Sequence, residues 1–124
     1  SSIKQLLLNQ KIVTGIGNIY ACEILYDAKI SPFMPGNQLS SLMIERLIKS
    51  MKKILKKAIL YGGTTLRDYI ATDGTLGNFQ TKFKVYNKED KKILNFKIRR
   101  IKQSGRSTFF CPDLQKSKYN PIFD

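Results

Sequence analysis

Histidine and tryptophan are absent from this 124-residue sequence, and cysteine occurs only twice, at Cys22 and Cys111. Without histidine, the usual acid/base and metal chemistry near neutral pH is closed to the chain. Two cysteines far apart in sequence, neither in a C-x-x-C pair, exclude a disulfide framework and argue against a four-ligand zinc site. Long apolar runs are missing too. The longest falls far short of a bilayer span, and the N-terminus lacks the charged, apolar and small-residue sections of a signal peptide. A soluble, cytoplasmic protein with no membrane partner is expected. The chain begins Ser1-Ser2-Ile3 rather than with methionine, which reads as a piece excised from something longer.

Acidic residues are the other shortage. Nine Asp and Glu against 22 Lys and Arg leave a formal net charge of +13. That imbalance points to a polyanionic partner, with an unspecialised basic surface or an acidic membrane surface as the alternatives. The length suits one domain with a real core, or two small lobes sharing one.

What is present begins with helices. Ile3 to Val13 reads as a helix running into the Gly15-Ile16-Gly17 turn, and Ile19 to Ala28 as a buried helix with Asn18 at its N-cap. Pro32, Pro35 and Gly36 punctuate a tight connection. From Leu42 to Tyr61, Ile44, Leu47, Ile48, Met51, Ile54, Leu55 and Ala58 recur at helical steps, while the lysines fall mostly on a solvated face. Ser41 stands where it caps this helix and Gly62-Gly63 where they end it. Thr65 to Ala71 reads as a short helix before the Asp73-Gly74 turn.

Beyond Phe83 the period changes to two. Leu94, Phe96 and Ile98 alternate with Asn95, Lys97 and Arg99 in a strand-like stretch from Lys92 to Ile101. Gln103-Ser104-Gly105-Arg106 has turn chemistry and Ser107 to Phe110 is strand-like again, so Arg106 sits at or beside a hairpin tip. The tail from Pro112 to Asp124 reads as irregular or frayed. The fold class is mainly α with a small C-terminal β-hairpin: residues 1–82 form the helical domain, 83–116 the hairpin unit and 117–124 the tail.

Gly15-Ile16-Gly17-Asn18 is not a dinucleotide fingerprint, because Tyr20 stands at the third-glycine position, and it is not a P-loop, which needs Gly-Lys followed by Ser or Thr. Two readings stay open on the residues alone. The glycines and the amides of the helix that follows bind phosphate oxygens, or the glycines let two buried helices approach, with Asn18 as a plain cap.

The stretches "LLLNQKIVTGIGNIYACEILYDAKISP", "GGTTLRDYIATDGTLGNFQTKFKVYNK" and "RIKQSGRSTFFC" resemble, in order, the helix-two-turns-helix module and the finger of bacterial formamidopyrimidine-DNA glycosylases. The resemblance implies base-excision repair: removal of 8-oxoguanine and formamidopyrimidines from double-stranded damaged DNA, and AP-lyase cleavage at the abasic site. Carried over by position, Asn18, assisted by Gly17, holds a backbone phosphate. Lys11 is a nearby basic contact, Arg106 is the hairpin-tip clamp, and Tyr86 touches the backbone. Arg67, Thr64 and Thr65 fall in the region of the loop that closes over the flipped base. Gripping the backbone on both sides of the lesion helps offset the cost of unstacking the base.

Two departures accompany the resemblance. The family's nucleophile, an N-terminal proline amine followed by glutamate, belongs to a separate N-terminal domain whose residues are not in this sequence. The chain by itself is therefore expected to bind DNA without excising bases, to have that domain as its companion, and to be a monomer. The family's finger also carries four zinc cysteines, and their positions here are Lys91, Leu94, Cys111 and Leu114. No zinc or other cofactor is expected. Leu94, Phe96, Ile98, Phe109 and Leu114 are expected to pack where the metal would sit. The competing function is a non-catalytic module that binds damaged or bent nucleic acid.

Overall fold

The computed structural model describes residues 1–9, 16–60 and 83–123. The first helix, α1 (Ile3–Leu8), starts with a capping box: the Ser2 hydroxyl accepts the Gln5 N–H and the Gln5 side chain accepts the Ser2 N–H. This exchange satisfies two of the amide donors that a helix start leaves unpaired. The helix closes at Asn9, earlier than the apolar pattern suggested.

Helix α2 (Asn18–Ala28) is buried along most of its surface, from Ala21 through Tyr26 and again at Ala28. The sequence reading of its start needs correction. Gly17, in extended conformation, is the N-cap, and Asn18 is already helical. The side chain of Asn18 donates one N–H to a distant element and makes no cap bond to the helix's own amides.

A one-turn 3-10 segment (Gly36–Gln38) leads to α3 (Ser41–Leu60). The capping hydroxyl belongs to Ser40, which accepts the Met43 N–H at 3.1 Å. Ser41 is inside the helix. Leu47 joins the core formed by Ile3, Leu7, Ile16, Ala21, Ile24, Leu25, Ala28 and Ile30, so α1, α2 and α3 share one apolar centre. Where α2 and α3 cross, Asp27 accepts from the Ser50 hydroxyl at 2.7 Å and pairs with Lys53 at 2.9 Å.

The C-terminal unit holds two hairpins: β1 (Lys92–Ile93) with β2 (Phe96–Lys97), and β3 (Arg99–Gln103) with β4 (Arg106–Phe110). The strand expected from Lys92 to Ile101 is therefore broken. Leu94 and Asn95 both adopt positive φ, 51° and 69°, the geometry of a two-residue turn that folds the chain back on itself. Because of that reversal, Leu94 is 79% exposed and Phe96 is 40% exposed. Of the alternating trio only Ile98 is buried.

The expected packing set changes accordingly. Ile98 and Phe109 pack with Cys22, Tyr26, Val85 and Cys111, and Leu114, Ile93 and Tyr86 close the edges. The second hairpin follows expectation. Ser104 and Gly105 turn at φ 51° and 83° and place Arg106 opposite Gln103. The tail has no regular structure but is not frayed, since it folds back on the base of this hairpin. No helix among the described residues is long and apolar enough to cross a membrane.

Candidate nucleic-acid interface

The N-terminus of α2 and the tip of the β3–β4 hairpin meet on one face. Asn18 Nδ2 donates to the Ser107 carbonyl at 2.9 Å, beside the exposed Arg106. Asn18 Oδ1 is buried and has no hydrogen-bond partner among the described residues. Gly17 is exposed, and a Cβ placed there meets nothing within 4 Å among the described residues. Helix packing therefore gives no reason for glycine at position 17, and the open flank leaves the first amides of α2 approachable from outside. Arg106 borders a cleft of about 190 Å3 with Lys4, Gln5, Leu8, Asn9, Gln103 and Ser104.

Helix α1 fastens the hairpin from the other side. Lys4 is fully buried, and its Nζ donates to Thr108 Oγ1 at 2.6 Å and to the Ser107 carbonyl at 3.2 Å. Burial pulls the Lys4 pKa down; the neighbouring Cys22 opposes that and Arg106 adds to it. Thr108 passes a hydrogen bond to Gln103, which bonds in turn to Ser2 and to the Pro32 carbonyl. Gln5 reaches Ser104 at the tip itself. The chain's cationic tip is thus held by neutral polar groups and one buried ammonium, and among the described residues no ion pair joins Arg106 to an acid.

Tyr86 sits deeper than a simple surface contact. It is half-buried, edge-on to Phe109 at 4.8 Å and to Phe83 at 5.8 Å, and burial raises its pKa. Its amide is one of three held by Glu23, which accepts from Lys84 N at 2.6 Å and from Val85 N and Tyr86 N at 2.9 Å each. Burial pushes the Glu23 pKa up, and these three amides oppose the rise.

Sequence reasoning singled out neither Lys4 nor Glu23. Lys4 is the lone charge of α1, and Glu23 shares α2 only with Asp27; a charge among apolar helical residues is the only local sign they leave. Lys11, Gly15, Thr64, Thr65 and Arg67, together with the short helix expected at 65–71, lie outside the described residues.

Of the four finger positions where the resemblance places zinc cysteines, one carries a thiol. Cys111 is buried among Cys22, Tyr26, Val85, Ile98 and Phe109, and burial raises its thiol pKa. Lys91 and Leu94 are exposed, and Leu114 is apolar. No group of three His, Cys, Asp or Glu that could hold a metal occurs among the described residues. A tetrahedral site needs four donors.

Residues 1–70 match the sequence profile of the formamidopyrimidine-DNA glycosylase H2TH domain. The chain belongs to the formamidopyrimidine-DNA glycosylase family. It is 52% identical over 115 residues to the formamidopyrimidine-DNA glycosylase of Zymomonas mobilis, covering 92% of this chain and 43% of the relative. It is 45% identical over 117 residues to that of Listeria monocytogenes, covering 93% and 43%. Among solved structures of the family, a complex between the Lactococcus lactis Fpg and an abasic site containing DNA superposes with a TM-score of 0.82 at 41% identity. That match covers 94% of this chain and 44% of the other. The chain therefore spans less than half the length of the glycosylases it matches.

Proposed function

We propose that this chain is the DNA-binding part of a base-excision-repair glycosylase and AP lyase that removes oxidised purines and cleaves at abasic sites. The observation that carries the reading is the hydrogen bond from Asn18 to Ser107, which sets a helix N-terminus beside the hairpin tip that carries the exposed Arg106. Phosphate oxygens are what such a pair of groups binds, because amide donors and a fixed guanidinium fork match their charge and geometry. The likeness to solved glycosylase complexes with DNA supports the same assignment.

In this reading Asn18 and the Gly17 turn hold one phosphate of duplex DNA and Arg106 another, with Lys11 adding charge nearby. Tyr86, half-buried beside Phe109, touches the DNA backbone, and Thr64, Thr65 and Arg67 belong to the loop over the extruded base. Phosphate contacts of this kind orient the duplex without reading its sequence. Such a protein needs no base-specific contact from this half. The finger works without zinc. Bond cleavage falls to the part of the relatives that this chain does not span, so the chain alone binds DNA and leaves bases in place. It acts as a monomer in the cytoplasm, at the nucleoid.

Fluorescence-anisotropy titration of the 124-residue chain against duplexes with and without one abasic-site analogue, at several salt concentrations, tests this reading. Preference for the abasic duplex that disappears in Arg106→Ala supports the clamp. Equal binding to both duplexes, tracking salt alone, overturns it.

A further inference from the structure

The finger keeps one of the four metal-donor positions, Cys111, yet its base is tied to the helical core, and one buried side chain makes the central tie. Gln115 is fully buried. Its Oε1 accepts the Cys111 N–H at 2.8 Å and its Nε2 donates to the Ile30 carbonyl at 3.0 Å. Cys111 directly follows β4, and Ile30 lies just beyond α2. A single amide therefore bridges the foot of the hairpin to the helical core, with both of its ends satisfied. The Leu114 and Gln115 amides also donate to the Cys111 carbonyl, at 3.0 and 2.8 Å, so Gln115 is held in a closed turn of its own.

The tail locks this bridge from outside. Asn120 Nδ2 donates to the Gln115 carbonyl at 3.0 Å, and Asn120 Oδ1 accepts the Ser31 hydroxyl. Phe123 packs at a tilt against the buried Phe110 with ring centroids 5.9 Å apart, and Phe33 meets the same ring at 5.4 Å. The Arg99 guanidinium lies over the Phe123 ring at 5.0 Å. The tail thus touches β3 through Arg99, β4 through Phe110, and the segment after α2 through Ser31. A two-stranded hairpin alone is marginal in water, and these ties connect it to a core.

We propose that Gln115, held by the Asn120–Phe123 tail, is a positioning residue that fixes the DNA-contacting hairpin in the place where a metal centre would otherwise fix it. The inference rests on the DNA-clamp reading for its consequence, but not for its mechanics. It makes the grip of Arg106 independent of metal supply.

Hydrogen exchange of the β3–β4 amides in the DNA-free chain tests the mechanics, and the abasic-to-intact affinity ratio tests the consequence. Gln115→Leu and the milder Asn120→Ala should speed exchange in 99–110 by about tenfold, the size expected for one buried hydrogen-bonded side chain. The amides of α2 and α3 should keep their protection. Both variants should lower the affinity ratio, while 1,10-phenanthroline should change neither readout in the parent chain. If Gln115→Leu does not fold, Asn120→Ala and Phe123→Ala carry the test.

Unchanged hairpin exchange in the folded variants overturns the proposal, as does loosening of the parent hairpin by the chelator alone. Loosened exchange with no abasic preference in the parent chain counts against the DNA reading and leaves the fastening standing. Loosened exchange with an unaltered affinity ratio overturns the positioning role.

Discussion

Asn18 donates its side-chain amide to the backbone carbonyl of Ser107 at 2.9 Å, joining positions 89 residues apart in sequence. The bond sets Arg106, the residue before Ser107, against the open end of α2. Most expectations for this molecule follow from how that contact is held and from what stands behind it.

Arg106→Ala removes an exposed cation at the hairpin tip without touching the core. Binding to duplex DNA should weaken, and the slope of log affinity against log salt should become shallower by about one. A salt titration of both proteins reads this directly, and an unchanged slope would remove Arg106 from the contact.

Glu23→Ala strips the acceptors from three backbone amides at the root of the finger. Leaving buried donors unpaired is costly, and the expected loss is about 3 kcal/mol or more in urea unfolding. Exchange at 84–86 should quicken first. A loss below about 1 kcal/mol would mean that water replaces the carboxylate at little cost.

Burial alone would raise the Asp27 pKa, but the hydrogen bonds from Lys53 and Ser50 outweigh it and hold the carboxyl below its usual range. The sign follows. The native state keeps the charge to lower pH than the unfolded chain does, so this contribution is complete above the unfolded value of about 3.9 and fades as pH falls through the folded one. Lys53 is largely exposed, so the effect should stay within about 1 kcal/mol. Comparing unfolding of the parent and Asp27→Asn between neutral and acid pH checks it: the difference should shrink on acidification.

Leu94 spends a left-handed backbone conformation on a side chain that is 79% exposed. Asparagine tolerates that region better than leucine does. Leu94→Asn should therefore raise stability by about 1 kcal/mol, measured by thermal melting. A loss would show that Leu94 has a contact in solution that offsets its strain.

Cys111→Ala tests the finger's core. The thiol packs as a small hydrophobe, so the cost should be about 1 kcal/mol of packing rather than the collapse that follows loss of a metal ligand. Thermal melts with and without chelator should superpose for both proteins.

The sequence disclosed some of this and hid the rest for physical reasons. The stripe from Ile44 to Ala58 declared α3, because helical periodicity is a local signal, and Ser104-Gly105 declared its turn for the same reason. Asn18 misled because asparagine is a favoured cap, yet Gly17 takes that position and the Asn18 amide finds a carbonyl on another element. Leu94 and Phe96 misled because alternation with charged residues looks the same in one long strand as in two short ones joined by a reversal. Lys4, Glu23 and Gln115 went unread because each finds its meaning across the fold, in hydrogen bonds to residues far along the chain.

Helix α2 grips the C-terminal unit twice: Asn18 holds the carbonyl at Ser107, and Glu23, little more than one turn further on, holds the amides of 84–86. A body pinned at one point can swivel in any direction, whereas one pinned at two keeps only rotation about the line through them, which the Gln115 bond to the Ile30 carbonyl opposes. Load applied at the hairpin tip is therefore carried straight into the helical core. In the proposed DNA-binding role, a duplex pressed against this surface would meet a braced hairpin rather than a yielding one.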